Sequence, residues 1–401
     1  MQVSAIIAEY NPFHNGHLYH ISETKKRTDN GFVMVIMSGN FVQRGEPALL
    51  DKRLRAKTAL MNGADLVVEI PVPWATASAE RFARGAVYIA AQSGVVNTLS
   101  FGCEDAQSDM LRKIARVTED KVYSRRIKDY YDAHSCSYPE AKAGVVKSVL
   151  GEDCTEIMMK PNNILAIEYM RAIQYFKSDI TPLCIERKIS THDGENTDGH
   201  LTSAMNIRNM VKTDRDFSSF VPKNTLDIYK KAAADNIFPS LYSRLETAVL
   251  ADLRRKHPKD FLSVPDVSEG IEYRIAEAAK ESVSLNGVFD MVKTKRYTHA
   301  RIRRIILSSF LGITNEDVQS LPPYIHVLGL NDNGRLILRE MKDKFFFPII
   351  MKYSDVARLD DRAKRIFSLE STATDLFNLT LPERRKCGTD MTEEIVYMPQ
   401  A

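Results

Sequence analysis

The stretch VSAIIAEYNPFHNGHLYH, residues Val3–His20, decides the fold class of this chain. Val3–Ala8 is a short apolar run that ends in polar residues, which predicts a buried strand. A helix is expected to begin near Asn15 and Gly16 and to run to about Thr28. A strand followed directly by a helix is the repeating unit of a parallel sheet.

The same alternation continues through the first hundred residues. Further strands are predicted at Phe32–Met37, Leu66–Ile70 and Asn97–Phe101, and helices at Asp51–Asn62 and Ser78–Gln92. Continuous apolar strands separated by helices indicate a parallel sheet that is covered on both faces. Ligands bind beyond the carboxyl ends of such strands, so the segments EYNPFHNGH, SGNFVQRGE and FGCED are expected along one edge.

The second half of the chain has a different pattern. Long helical periodicities predict helices at Leu241–Lys256, Ser268–Val283 and Asn286–Ile313. Near the end, YIHVLGL and FFFPIIM are predicted as two strands around a helix, with NDNG as a turn. We therefore predict an α/β chain, with a Rossmann-like parallel-sheet domain over 1–215 and a mainly helical C-terminal domain over 216–401.

Composition narrows the class of protein. The chain has 401 residues and 44% hydrophobic residues, enough for a sizeable core, while its net charge of +3 does not by itself indicate a nucleic-acid-binding protein. Five scattered cysteines without a CxxC pair argue against a disulfide framework or a zinc ribbon and suit a reducing cytosol. There is no signal-peptide pattern and no apolar run near the roughly 18 residues of a membrane span, which predicts a soluble, cytoplasmic protein without membrane contact.

His14 and His17 form the pattern His-x-Gly-His between the first strand and the first helix. A helix start offers free N–H groups and partial positive charge, which suits a phosphate, and Gly16 allows close approach to the backbone. Two imidazoles there could stabilise the charge on an α-phosphate while pyrophosphate leaves. The alternative is that both are loop side chains satisfied by neighbours. A metal site is less favoured, because only Glu9 lies nearby.

The segment TSAMNIR, Thr202–Arg208, is a second candidate phosphate site. Ser203 could cap a helix, and Arg208 would lie about a turn and a half further on, so that both could hold outer phosphates. The alternative is an ordinary N-cap followed by a surface arginine. The preceding loop, Thr191–His200, could act as a lid.

The His-x-Gly-His turn and the later Ser-x-x-x-Ile-Arg helix start resemble the nucleotidyltransferase superfamily of adenylyl-transferring enzymes, which bind ATP on a Rossmann-like sheet. Five segments together, EYNPFHNGHLYH, SGNFVQRGEPA, FGCED, KPNNILAIEY and SAMNIR, resemble more closely the tRNA(Met) cytidine acetate ligase family. The similarity runs through the N-terminal domain and, more loosely, through the helical part. Five motifs in the same order are far more specific than the first motif alone.

The resemblance implies an enzyme that activates acetate with ATP, with Mg²⁺ present, and passes the acetyl group to N4 of the wobble cytidine of elongator tRNA(Met). His14 and His17 would be catalytic. The implied ATP-binding set is Ile7, Ala8, Glu9, Tyr10, Asn11, Pro12, Phe13, His14, Asn15, Gly16, His17, Leu18, Tyr19, His20, Gly102, Asn162 and Arg187, joined by Ser203 and Arg208. One departure is Met205, which stands where the family usually has threonine.

Acetate is a small anion, so its pocket needs a hydrogen-bond donor or a cation near the α-phosphate. Asn40, Gln43 and Arg44 in SGNFVQRG are the candidates, with ordinary loop structure as the alternative. Asn162 could instead cap a helix, and Arg187 could form a surface ion pair. Glu9 and Asp105 could hold Mg²⁺ or act as caps, and we favour the second role for both.

A basic segment in the helical half is the candidate RNA contact. Between Phe289 and Ile306 there is one acid, Asp290, and six basic residues, accompanied by aromatic side chains that could stack on bases. The candidate tRNA-binding residues are Lys293, Lys295, Arg296, Tyr297, Arg301, Arg303 and Arg304, with His299 interleaved among them. A solvated charged face is the alternative, and it is favoured for the second cluster, Arg254–Lys259.

Three other functions compete with the ligase. A small-molecule adenylyltransferase would not need the large helical half. An aminoacyl-tRNA synthetase uses related chemistry, but this sequence has no clear KMSKS-type loop and no separate editing insertion. A non-catalytic RNA-binding protein with a nucleotidyltransferase-like fold is the third, and the intact histidines count against it.

Overall fold

A computed structural model describes residues 1–29, 31–104, 108–119, 121–134, 136–187, 200–268, 270–344 and 347–399. Asp105 and all of the predicted lid except His200 therefore lie outside the described residues. In these ranges no helix is both long and apolar enough to span a bilayer.

The strands are β1 (Val3–Ala8), β2 (Phe32–Ser38), β3 (Phe41–Val42), β4 (Glu46–Pro47), β5 (Leu66–Ile70), β6 (Val96–Cys103), β7 (Thr181–Glu186), β8 (Ile325–Asn331), β9 (Ile349–Ile350) and β10 (Val396–Met398). The helices up to the middle of the chain are α1 (Asn15–Arg27), α2 (Lys52–Met61), α3 (Val72–Ala75), α4 (Ala79–Gln92), α5 (Ser108–Glu119), α6 (Lys121–Ala133), α7 (Tyr138–Leu150), α8 (Asp153–Met159), α9 (Pro161–Tyr175) and α10 (Ala204–Lys212). The later helices are α11 (Lys223–Ala234), α12 (Glu246–Arg255), α13 (Ile271–Glu281), α14 (Leu285–Val292), α15 (His299–Leu311), α16 (Asn315–Gln319), α17 (Asp332–Lys344), α18 (Asp361–Asn378) and α19 (Thr389–Thr392).

The predicted parallel sheet is confirmed. Its strand order is β10-β8-β5-β2-β1-β6-β7, and β1 pairs in parallel with β2 on one side and β6 on the other. Strands β2, β5, β6 and β7 continue this parallel pairing outward. The strand order reverses direction at β1, so the carboxyl ends of β1 and β6 flank the crevice where open α/β sheets bind ligands.

The C-terminal part returns to this sheet, which the sequence did not predict. Strand β8 pairs antiparallel with β5, and β9 and β10 both pair in parallel with β8. The predicted boundary near residue 215 therefore does not separate the sheet from the helices. The predicted NDNG turn is also wrong, because α17 begins at Asp332 and the side chain of Asn331 accepts a hydrogen bond from the backbone N–H of Gly334.

The predicted helix Asn286–Ile313 is broken into two helices, and the stretch Asp109–Leu150 is likewise divided into shorter helices. Asn286–Ile313 forms α14 and α15, separated by residues 293–298, because Thr298 caps α15 by accepting a hydrogen bond from the backbone N–H of Arg301. Asp109–Leu150 contains α5, α6 and α7 in its described residues.

The cysteines are free except for one pair. Cys103 at the end of β6 is joined to Cys184 of the neighbouring strand β7, with their Cα atoms 6.0 Å apart. Cys136, Cys154 and Cys387 are free. This single bond between adjacent strands is not a disulfide framework.

Arg55 on α2 holds the carboxyl ends of the first two strands together. Its fully buried guanidinium donates to the carbonyl oxygens of Leu50 (2.9 Å), Glu9 (2.6 Å), Ser38 (3.1 Å) and Gly39. Burial lowers the pKa of Arg55 to about 10, so the group stays charged at neutral pH. Four backbone carbonyl groups thus accept hydrogen bonds from one side chain.

A second buried group of charges joins α2 and β5 to the C-terminal elements. The ammonium of Lys52 lies 2.8 Å from Glu69 and 2.8 Å from Asp390, and Nδ1 of His326 lies 3.0 Å from Glu69 and 3.6 Å from Glu370. Burial opposes charge on His326, but the two carboxylates outweigh it and raise its pKa to about 9.

Glu69, His326 and Glu370 are also spaced as metal ligands could be, within 4.8 Å of one another. A protonated His326 together with Lys52 already supplies positive charge to the same carboxylates, so the arrangement is balanced without an ion.

Replacing Arg55 should destabilise the chain strongly. In Arg55→Lys the ammonium cannot reach all four carbonyl groups, and we expect the free energy of unfolding to fall by about 3 kcal/mol or more. Urea denaturation followed by circular dichroism measures this. Arg27→Lys, on the exposed last turn of α1, is the matched control and should stay within about 0.5 kcal/mol of the parent. Equal stability of both variants would contradict the role of Arg55.

The Glu69–His326–Glu370 contact should make stability fall at alkaline pH. The pKa of His326 is raised above its unfolded value, so its contribution is complete below about pH 6.5 and is lost as the pH rises through about 9. We expect a loss of up to about 3 kcal/mol across this window. His326→Gln should be less stable at pH 6.5 and should have a flatter pH profile. A parent profile that is flat from pH 6.5 to 9.5 would overturn this.

Candidate active site

His14 and His17 are held against each other at the turn between β1 and α1. His14 caps α1, and its Nδ1 accepts a hydrogen bond from the backbone N–H of Gly16 at 3.0 Å. Nδ1 of His17 accepts from the backbone N–H of His14 at 3.2 Å, and the rings stack with centroids 3.8 Å apart. Because each Nδ1 is an acceptor, each neutral ring carries its proton on Nε2. The turn therefore offers two Nε2–H donors, neither of which has a partner among the described residues.

Aromatic rings fix the second of these histidines. The ring of Tyr10 meets His17 and Phe13 edge-on, with centroid distances of 4.8 Å to each. Tyr10 and Phe13 are buried, and Tyr10 has a φ of +47°, in the left-handed region. Such a backbone costs a non-glycine residue about 1–3 kcal/mol and is found most often at ligand-binding sites.

The histidines of the turn are neutral. Burial, together with the positive charges of Arg187 and Arg208, lowers the pKa of His14 to about 3. Burial and Arg187 lower the pKa of His20 to about 4, and the pKa of His17 also lies well below its ordinary value because of burial, His14, Arg187 and His20. Nε2 of His20 lies 2.9 Å from the hydroxyl of Ser100 on β6. The positive charge near the turn thus comes from arginines.

The end of β6 and the start of α9 form a second wall. The Arg187 guanidinium donates to Oδ1 of Asn162 at 2.6 Å, and the Asn162 amide donates to Glu104 at 2.5 Å. A Cβ on Gly102 would lie 3.4 Å from the Arg187 side chain. The structure thus brings the predicted residues Gly102, Asn162 and Arg187 together, near enough to the histidines for Arg187 to lower their pKa values.

The predicted phosphate clamp also lies beside the turn. Ser203 caps α10 by accepting a hydrogen bond from the backbone N–H of Asn206 at 3.1 Å. The buried Arg208 donates to the carbonyl oxygen of Asn11 at 2.8 Å and lies 3.4 Å from Glu46. The sulfur of Met205, the position that departs from the family pattern, lies 3.8 Å from the exposed guanidinium of Arg44.

The three acetate candidates differ in what they already bind. The amide of Asn40 accepts from the backbone N–H of Lys52 and donates to Thr374, so both of its groups are used within the protein. The Gln43 side chain donates to the carbonyl of Ala77. Arg44 keeps a charged and exposed end, and its guanidinium contacts only the sulfur of Met205 among the described side chains. Arg44 is therefore the candidate best able to meet a small anion.

The carboxylate of Glu9 is already hydrogen-bonded within the protein. It accepts a hydrogen bond from the backbone N–H of Gln43 at 2.9 Å, and burial raises its pKa even though Arg208 and Arg44 are near. This contact supports the structural role that the sequence favoured for Glu9.

The predicted RNA-binding residues fall into two groups. Lys293, Lys295 and Arg296, between α14 and α15, are exposed. By contrast Arg301 donates to the carbonyl of Asp266, and Arg304 lies 3.6 Å from its carboxylate.

Other members of the set also point to a structural role. The Arg303 guanidinium lies 5.2 Å from the centre of the Phe289 ring, and Tyr297 is buried beneath Arg301. The burial of Tyr297 corrects the expectation that it stacks on a base, because protein atoms already cover its ring.

Two residues of the site were missed in the sequence. Glu104 orients Asn162, and the signal was present in FGCED, where the neighbouring Asp105 was considered instead. Arg55 belongs to no motif, and nothing local distinguishes it from the exposed basic residues of other helices.

An open α/β sheet with paired histidines at its first strand-to-helix turn defines the class of this protein. Residues 1–391 match the family described as HIGH Nucleotidyl Transferase.

Whole-chain similarities narrow this class. The chain is 37% identical to the tRNA(Met) cytidine acetate ligase of Acetivibrio thermocellus, over 99% of this chain and 100% of that protein. It is 37% identical to that of Caldanaerobacter subterraneus subsp. tengcongensis, over 94% of this chain and 95% of that protein. Crystal structures of Thermotoga maritima TmcAL, apo and bound with alpha-thio ATP, match it with TM-scores of 0.94 and 0.93, at 30% identity over 100% of both chains. The chain belongs to the tRNA(Met) cytidine acetate ligase family.

The three histidines should remain neutral at acidic pH. Because the pKa values of His14 and His20 are lowered to about 3 and about 4, we expect their ¹⁵N resonances to show neutral rings at about pH 5.5. Heteronuclear NMR of ¹⁵N-histidine-labelled protein, assigned with single variants, measures this. Titration of His14 near the ordinary histidine pKa of about 6.5 would contradict the assignment.

Proposed function

We propose that this chain is an ATP-dependent acetate ligase that forms acetyl-AMP and transfers the acetyl group to N4 of the wobble cytidine of elongator tRNA(Met). The observation that carries the proposal is the pair of neutral Nε2–H donors of His14 and His17 at the crevice of the sheet. The names of the relatives and the alpha-thio ATP bound to the structural neighbour support it.

ATP would bind along the Ile7–His20 segment, between the wall that contains Asn162 and the clamp that contains Arg208. The histidine donors would bind oxygens of the α-phosphate, and the two arginines beside them would balance the charge of the other phosphates. Mg²⁺ would accompany the phosphates of ATP, as it does in phosphoryl transfer generally. Ser203 would add its hydroxyl at the start of α10.

The reaction has two steps. A carboxylate oxygen of acetate attacks the α-phosphorus, the bond from that phosphorus to the bridging oxygen breaks, and pyrophosphate leaves. N4 of cytidine then attacks the carbonyl carbon of acetyl-AMP, loses a proton, and AMP leaves with the electron pair of the broken C–O bond. Arg44 would hold the acetate carboxylate for the first step.

The RNA would be contacted by the exposed part of the basic segment, Lys293, Lys295 and Arg296. The side chains of Arg301, Arg303 and Arg304 contact protein groups. Their proposed role is therefore to position this RNA-facing surface. The proposed setting is the cytoplasm, where the tRNA substrate is found.

One incubation tests the proposal: purified chain, ATP, Mg²⁺, ¹³C-acetate and bulk bacterial tRNA, followed by nucleoside mass spectrometry. We expect labelled N4-acetylcytidine that depends on ATP. His14→Asn and His17→Asn remove the Nε2 donors, and asparagine can still cap α1, so we expect a rate lowered about 100-fold or more with the fold retained. His257→Asn, at an exposed position, is the matched control and should keep the parent rate.

Other outcomes point to the competing functions. If no label enters RNA and acetate does not stimulate pyrophosphate release, the ligase proposal fails. Adenylyl transfer to a small acceptor would then favour the adenylyltransferase, and RNA binding without any turnover would favour the non-catalytic protein.

A further inference from the structure

We infer that Gly45 is a positioning residue that sets the spacing between the adenylate site and the RNA-facing helix α15. This inference rests on the proposed function. Gly45 lies at the turn of the 41–47 hairpin, which consists of β3, residues 43–45 and β4. The backbone N–H of Gly45 donates to the carbonyl of Val42 at 2.9 Å, which closes the turn.

Only glycine fits this position against α15. A Cβ on Gly45 would lie 2.8 Å from the carbonyl carbon of Arg303 and 2.9 Å from the backbone nitrogen of Arg304. These are backbone atoms of a helix, so they cannot rotate away as the end of a long side chain could. Gly45 also has a φ of +77°, which side chains rarely adopt.

The other residues of the same hairpin are tied to the candidate active site. The backbone N–H of Gln43 donates to Glu9, which precedes the histidine turn. Arg44 contacts Met205 of α10, and Glu46 pairs with Arg208 of the same helix. The hairpin is therefore joined to Glu9 and to α10 on one side and to α15 on the other.

On its other side α15 is held by its own arginines. Arg301 donates to the carbonyl of Asp266 and to the hydroxyl of Ser268, and Arg304 lies 3.6 Å from the Asp266 carboxylate. The carboxylate of Asp266 also lies 3.0 Å from the guanidinium of Arg81, on α4. Helix α15 begins directly after the exposed basic segment that contains Lys293, Lys295 and Arg296.

The position of RNA bound at the basic segment, relative to the adenylate, is therefore set by α15, Gly45 and the hairpin. A side chain at position 45 must push α15 and the hairpin apart. The acceptor nitrogen would then be displaced from the acetyl carbon, while the histidine turn, which continues directly from β1, stays with the sheet. A displacement of about 1 Å costs on the order of 100-fold in a reaction that depends on orientation.

The test separates the two half-reactions in Gly45→Ala. We expect acetyl transfer at saturating tRNA to fall by about tenfold or more beyond any loss in acetate-dependent ATP–pyrophosphate exchange without tRNA. The affinity for tRNA, measured by filter binding, should change by less than about threefold, since the exposed lysines are retained. A melting curve confirms that the variant is folded.

Two further variants separate the effect of the Cβ contact with α15 from the effect of backbone strain at positive φ. Gly45→Asn brings the same Cβ but tolerates positive φ better than alanine, so the selective loss of transfer should persist. Gly312→Ala places alanine at a φ of +72° at the end of the same helix, where nothing lies within 4 Å, and should show no selective loss.

Each outcome decides between the inference and the proposed function. If the parent performs both half-reactions and the Gly45 variants lose them in parallel, or lose only tRNA affinity, the positioning role is wrong. If the parent itself forms no acetyl-AMP, the proposed function fails instead.

Discussion

The buried guanidinium of Arg55 is the contact on which the catalytic edge of the sheet depends. The carbonyl groups of Glu9, Ser38 and Gly39 lie at the carboxyl ends of β1 and β2, at the last residue of β2 or directly after the strands. A ligand-binding edge cannot satisfy such groups with another strand, because the strand would fill the crevice. The side chain of Arg55, on α2, donates hydrogen bonds to all three carbonyl groups. Since Glu9 directly precedes Tyr10, this contact also fixes where the histidine turn begins.

The site contains two kinds of polar group, neutral histidine N–H donors and permanently charged arginines. The histidines are half-buried or buried, and this burial, together with nearby positive charge, lowers their pKa values and keeps the imidazole rings uncharged. Neutral Nε2–H groups can follow the charge that develops on an α-phosphate without repelling each other at a ring separation of 3.8 Å. In the proposed function the arginines would supply the fixed charge that a polyphosphate needs. Two protonated rings stacked so closely would be unstable together.

The sequence predicted the elements that depend on local pattern. The strands around β1, the first helix start and the pairing of His14 with His17 follow from apolar runs and from one short motif. Gly102, Asn162 and Arg187 came from the family resemblance, and the structure brings them together. Arg55 could not be predicted, since a basic residue at an ordinary helical position carries no sign of its burial.

The errors have a common physical cause, which is that tertiary contacts decide exposure. Arg301 and Arg304 count as basic residues in any sequence window, yet both are used to hold Asp266. Tyr297 looked suited to stacking on a base and is covered by protein. The return of β8 to the sheet depends on a pairing across more than 250 residues, and no local periodicity reports such a partner.

That long-range pairing has a consequence for the order in which the chain is made. Strand β5 and the buried ammonium of Lys52 are synthesised early, but β8, His326 and Asp390 emerge only near the end of translation. Until then one edge of the nascent sheet has no neighbour, and Lys52 has only Glu69 as a counter-ion. The sheet that carries the candidate active site is therefore completed only when the last part of the chain has been made. A chain that ends before residue 325 leaves β5 as an unpaired sheet edge, the kind of surface that favours association with other chains.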